Sequence, residues 1–97
     1  MQQLINIIEE VKKKITDGSD MLWTTYETPG ELRAELEKYA GELKAGNKNC
    51  LYQLHILFLP TSDLQEHSLM NGWSEIYLRL ADAFDNIYTA LSKNGGT

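Results

Sequence analysis

The sequence predicts an all-α protein, a compact antiparallel bundle of four main helices plus one short helix. Apolar residues recur at three- to four-residue spacing along most of the chain, and glycines, prolines and capping residues separate these stretches. There is no internal repeat or heptad array. With 97 residues, 42% hydrophobic and 24% charged, the chain is long enough for one core. We therefore expect residues 1–97 to form a single helical domain.

The first helix is predicted over residues 3–16, and Gly18 is expected to follow its end in a left-handed conformation. Residues 17–28 then make a connection that is long for a helical bundle and rich in large apolar side chains. We expect this connection to be ordered and to fold across the Asn71-Gly72 turn. The predicted buried face of the first helix consists of Leu4, Ile5, Ile7, Ile8, Val11 and Ile15.

The second helix has the clearest start signal in the chain. Thr28 is placed to cap the amide of Glu31, the Glu31 side chain is placed to reach back to the Thr28 amide, and Pro29 suits the first helical position. Gly46 and Asn47 are expected to end this helix. Its predicted inward residues are Leu32, Leu36, Tyr39, Ala40 and Leu43.

Residues 50–59 fit two patterns. As a helix, they place Cys50, Leu51, Leu54, Leu57 and Phe58 on one face, but the same residues also allow the alternation of a strand. We favour a mostly buried helix, because a strand would need a partner. The alternative is an α+β fold in which residues 50–59 and 21–26 pair as strands.

The last two helices are separated by an Asn-Gly turn. Ser62 followed by Gln65 predicts a cap for a short helix that reaches about Met70 and stops at Asn71-Gly72. The final helix is predicted to open at Trp73 or Ser74 and to end at residues 94–96. Its core stripe is Ile76, Tyr77, Leu80, Ala81, Phe84, Ile87, Tyr88 and Leu91.

Composition excludes several classes of function. The net charge of −5 disfavours a general nucleic-acid binder, because phosphate binding needs clustered Lys and Arg. The single cysteine excludes an internal disulfide, and no apolar run has the roughly 20 residues that span a bilayer. The N-terminus has no basic stretch typical of a secretory signal. We expect a cytoplasmic protein without a cofactor or a membrane contact.

No catalytic residue can be assigned. Asp63 and His67 have the i, i+4 spacing that would let both reach one metal ion, but a single pair falls short of a metal site. We expect Asp63 at a helix N-terminus and His67 at the surface. Cys50 lies on an apolar helix face, where a buried, inert thiol is the usual environment. The sequence therefore favours a protein that is not an enzyme.

Two aromatic pairs are the candidate binding residues. Trp23 with Tyr26, and Trp73 with Tyr77, each follow a glycine-containing break. Their rings either plug one end of the bundle or line a groove for a partner or a small ligand. In the second case, Gln65, Glu66 and Asn71 would supply polar contacts.

Two functional hypotheses remain. The first is a protein-interaction or regulatory module, which includes self-association. The second is a small-ligand-binding or enzyme-accessory domain that uses the aromatic pairs. Residues 50–97 hold 2 basic and 5 acidic side chains, so a working surface is expected in this half, near Gly72.

Overall fold

The computed structural model describes residues 2–22, 24–59 and 62–95. These residues contain helices and connecting turns but no strand, so the fold class is all-α, as predicted. Residues 50–59 are mostly helical, and the α+β alternative is therefore wrong. None of the helices in the described part of the chain is long and apolar enough to cross a bilayer. The helices are α1 (Gln2–Lys14), α2 (Pro29–Lys44), α3 (Leu51–Leu57), α4 (Asp63–Met70) and α5 (Ser74–Gly95).

The core lies mainly where α1 meets α2 and α5. Each helix contributes apolar side chains at helical spacing, as expected of amphipathic helices packed against one another. Because this pattern is strong in α1, its predicted face is buried in full. The core residues include Leu4, Ile8, Val11, Leu32, Leu36, Leu43 and Phe84.

The end of α1 is satisfied by a side chain of α2. Arg33 donates a hydrogen bond of 3.0 Å from Nη1 to the carbonyl oxygen of Ile15 and pairs with Asp17. Gly18 does not have a positive φ, so the predicted left-handed cap is wrong. The Arg33 guanidinium replaces that cap, because it supplies the hydrogen-bond donor that a carbonyl at the end of a helix needs.

The start of α2 follows its capping signal. Thr28 Oγ1 accepts a hydrogen bond of 3.2 Å from the Glu31 amide, and Pro29 occupies the first turn. The Glu31 carboxylate accepts from the amide of Glu27, one residue earlier than predicted. The Thr28 hydroxyl and the Glu31 carboxylate thus stabilise the entry to α2 together.

Helix α3 is shorter than predicted but buries the predicted face. Leu54 and Leu57 are buried, as are the flanking Cys50 and Phe58. The Phe58 ring stacks on Phe84 of α5 with 4.5 Å between ring centroids. Tertiary burial against α5 therefore decides the conformation of a segment that local pattern leaves open.

The connection between α1 and α2 is tied to α4 at two points. The Asp20 amide donates to Asn71 Oδ1 at 2.8 Å, and Asn71 Nδ2 donates to the Asp20 carbonyl oxygen at 3.0 Å. Thr25 donates from its amide and its hydroxyl to the two oxygens of Asp63, at 2.9 and 2.8 Å. The connection is ordered at these points and crosses the Asn71-Gly72 turn, as predicted.

Candidate functional site

His67 lies in the last turn of α4 and is 0% exposed, so the prediction of a surface histidine is wrong. Gly72 has a φ of 79°, and the turn that it allows returns Trp73 to the core. There Trp73 Nε1 donates to His67 Nδ1 at 3.0 Å. An acceptor at Nδ1 leaves the hydrogen of the neutral ring on Nε2.

The second nitrogen of His67 is buried without a partner. Nε2 has no hydrogen-bond acceptor among the described residues. Burial lowers the pKa of the imidazole, while the charge of Asp20 acts more weakly in the opposite direction. The ring is therefore held neutral, and protonation would remove the acceptor that Trp73 uses.

Asp63 and His67 serve separate contacts. Both carboxylate oxygens of Asp63 accept hydrogen bonds from Thr25, whereas the His67 ring faces Trp73 in the core. Within the described ranges, no group of three or more His, Cys, Asp or Glu side chains is close enough to hold a metal ion. The two residues of the candidate metal pair thus make separate structural contacts at α4.

The structure brings Trp73 and Tyr77 together inside the protein. Both side chains are buried, and their ring centroids are 6.1 Å apart in an edge-to-face arrangement. The Tyr77 hydroxyl donates to the carbonyl oxygen of Leu59 at 3.2 Å. Burial also raises the pKa of the Tyr77 phenol. These rings fill the core beside His67 rather than lining an open surface.

The remaining candidate binding residues are spread around α4 and the first connection. Tyr26 is half-buried beside an open depression of about 530 Å³, and burial raises the pKa of its phenol. Gln65 and Glu66 are half-buried on α4, and Asn71 is engaged by Asp20. Trp23 lies outside the described residues. A binding role for this set stays a prediction.

A different surface carries large exposed apolar side chains. On α3 and the turn after it, Tyr52 is 63% exposed, Ile56 44% and Leu59 39%; Leu78 of α5 is 60% exposed. We call these four residues the apolar surface. This surface was not predicted from the sequence, although Tyr52 and Ile56 are the apolar residues that remain when α3 buries its other face.

A groove between α3 and α5 adjoins the apolar surface. Its volume is about 330 Å³, and its floor includes the stacked rings of Phe58 and Phe84. The His55 ring also lines the groove and stacks on Tyr88, with 4.4 Å between ring centroids. The residues that line this α3–α5 groove are His55, Phe58, Leu59, Ala81, Asp82, Phe84 and Asp85.

The charge at the α3–α5 groove is negative. Asp82 and Asp85 line its α5 side and are exposed, whereas α3 contains no Asp, Glu, Lys or Arg. Arg79 precedes Asp82 by one helical turn, but in the described part of the chain no ion pair joins it to either carboxylate. The groove thus combines an apolar floor with an unneutralised acidic rim.

The chain matches no protein-family model, no curated protein and no solved structure. Helical folds host many unrelated functions, so the fold class by itself assigns none. The function must therefore be inferred from the chemistry of the surfaces and buried groups of the protein.

Proposed function

We propose that this protein is a non-catalytic protein-interaction module. The observation that carries the proposal is the apolar surface, whose four large side chains lie on α3, the turn after it and α5 and are 39–63% exposed. Scattered exposed apolar residues are normal, but a group of them beside a groove is typical of a docking surface.

The groups with nucleophilic or acid–base chemistry support a non-catalytic role. Burial raises the pKa of the Cys50 thiol, which keeps it in the poorly nucleophilic protonated form. His67 is buried and neutral, and its Nδ1 is already hydrogen-bonded to Trp73. Both side chains are buried in the folded protein.

The shape of the α3–α5 groove favours a protein partner over a small ligand. Small-molecule sites typically enclose most of their ligand in about 300–1,000 Å³. The groove volume of about 330 Å³ lies within that range, but the exposed Leu59, Asp82 and Asp85 line an opening to the surface, which suits the side chains of a partner. The ligand-binding alternative has less support, because the Trp73 and Tyr77 rings are packed in the core.

The proposal includes the compartment and the class of partner. We place the interaction in the cytoplasm, where a lone buried thiol such as Cys50 stays reduced. The net charge of −5 favours a protein partner over nucleic acid.

The proposal is tested with two double variants. Ile56→Lys with Leu78→Lys places charge on the apolar surface, and the control Leu22→Lys with Leu69→Lys alters two other exposed leucines in the same way. We expect affinity purification from the native host to recover one stoichiometric partner with the wild-type protein and the control. The surface variant should retain less than a tenth as much.

Two results would contradict the proposal. One is equal recovery of the partner by both double variants, which would place binding elsewhere. The other is a wild-type protein that stays monomeric by light scattering and retains no stoichiometric protein.

A further inference from the structure

We infer that the α3–α5 groove receives an amphipathic helix of a partner protein, with apolar side chains in the groove and Lys or Arg residues beside Asp82 and Asp85. This inference rests on the proposed function and adds the chemistry of the partner. Helices that dock in grooves present apolar anchors at three- to four-residue spacing.

The placement of the apolar side chains suits a helical partner. On α3, Tyr52 precedes Ile56 by four residues, or about 6 Å at a rise of 1.5 Å per residue, and Leu59 continues this apolar edge in the turn after the helix. On the opposite edge, Leu78 precedes Ala81 by one turn of α5. A partner helix laid between these edges would contact apolar side chains on both sides.

The charge of the rim selects a basic partner. Asp82 and Asp85 are exposed, and no described ion pair occupies either carboxylate. A partner with Lys or Arg at these positions would form charge-assisted contacts, whereas an acidic partner would meet like charge. Since these contacts lie on an exposed rim, they act mainly on partner choice and association rate.

A second copy of this chain is a less suitable occupant. The protein carries a net charge of −5, so two copies repel each other, and the groove edge itself is acidic. Part of the lysine charge on α1 is also paired, because Lys12 contacts Glu9 and Glu37 and Lys13 contacts Glu10. Self-association is therefore an outcome that the test must detect.

The test compares two synthetic helical peptides. Both carry leucines at positions i, i+3 and i+7; one has lysines on the flanking positions and the other has glutamates. Fluorescence anisotropy should show at least tenfold tighter binding of the basic peptide. Amide chemical-shift changes in the full-length protein should concentrate on residues 52–59 and 78–85.

Charge-reversal variants separate the groove from general attraction to an acidic protein. Asp82→Lys with Asp85→Lys should weaken the basic peptide at least tenfold. The control Glu10→Lys with Glu27→Lys makes the same change in net charge on exposed residues of α1 and the first connection, and should change affinity less than twofold. Equal effects of the two double variants would overturn the inference.

The remaining outcomes distinguish this inference from the proposed function. Equal affinity for both peptides, or binding of neither, overturns the inference that the partner is a basic helix. Loss of the native partner in the double variant of Ile56 and Leu78 would still support an interaction module. A dimer that dissociates on Ile56→Lys assigns the groove to a second copy and also overturns the inference. Retention of the native partner by that variant would instead remove the proposed function itself.

Discussion

His67 illustrates how a single residue couples burial to protonation. Its Nδ1 must stay unprotonated to accept from Trp73, and its ring has no exposure to water. In the unfolded chain the same imidazole titrates near its ordinary pKa of 6.5. Because the folded pKa lies below that value, the unfolded state binds more protons as the pH falls through 6.5.

We predict that the protein loses stability as the pH falls from 7.5 to 5.5. The stabilisation from the neutral imidazole is complete above pH 6.5 and declines until the pH reaches the lowered pKa of folded His67. One pH unit within this window corresponds to at most about 1.4 kcal/mol in the free energy of unfolding. Urea denaturation at the two pH values measures the change.

Two histidine variants test whether His67 causes this pH dependence, with His55→Gln as the control. His67→Gln should remove most of the pH dependence between 7.5 and 5.5, since Gln does not titrate. His55→Gln replaces a half-buried ring that stacks on Tyr88 and should leave the dependence in place. An unchanged slope in His67→Gln would show that another group is responsible.

Replacement by alanine should change the stability of the protein in opposite directions at two glycines. Gly41 lies inside α2 with open space around it, so alanine should raise the free energy of unfolding by about 0.5–1 kcal/mol. Gly72 has a positive φ of 79°, which an alanine adopts at a cost of about 1–2 kcal/mol. Thermal unfolding of the two variants should shift Tm up and down respectively, and shifts of the same sign would contradict this account.

At the scale of the element, α4 depends on contacts from a distant part of the chain. We predict that Asp63→Asn lowers the free energy of unfolding by about 1–2 kcal/mol, because it weakens two hydrogen bonds from Thr25 to a charged acceptor. Chemical denaturation measures this loss. Glu66→Gln removes a second acid from the first turn of α4 without a described contact to residues 19–27, and should cost less than about 0.5 kcal/mol.

Local signals explain which helices could be predicted. The starts of α2 and α4 follow from Thr28, Pro29 and Ser62, whose capping chemistry acts within three or four residues. The conformation of α3 depends instead on burial of Leu54 and Phe58 against α5, which a local pattern leaves open. The end of α1 depends on Arg33 of another helix, so Gly18 was a misleading signal.

At the scale of the whole molecule, substitutions at core positions should lower the free energy of unfolding much more than substitutions at docking positions. We predict that Ile56→Gln changes the free energy of unfolding by less than about 0.5 kcal/mol, since Ile56 is 44% exposed and lies outside the core. Leu54→Ala, two residues earlier on the same helix and fully buried, should cost about 2–5 kcal/mol. Urea unfolding measures both, and a large loss in Ile56→Gln would show that this residue is structural.

The candidate site was harder to predict than the fold. The amphipathic pattern identified most of the buried residues, and the shortage of positive charge in residues 50–97 indicated that this half carries more net negative charge. The groove itself depends on how α3 lies on α5, which no local pattern specifies. Burial of Trp73 depends on the Gly72 turn, so an aromatic pair at helical spacing could not reveal whether its rings faced the core or solvent.

The two ties between the first connection and α4 have a consequence for how the protein opens. A helix of eight residues is too short to persist alone in water, so α4 is helical only while its neighbours hold it. Its first turn is held by Thr25, and Asn71 just beyond its last turn is held by Asp20. Detachment of the connection and melting of α4 should therefore form one cooperative unit, whose amides exchange with solvent deuterium together, and before those of α1 and α2.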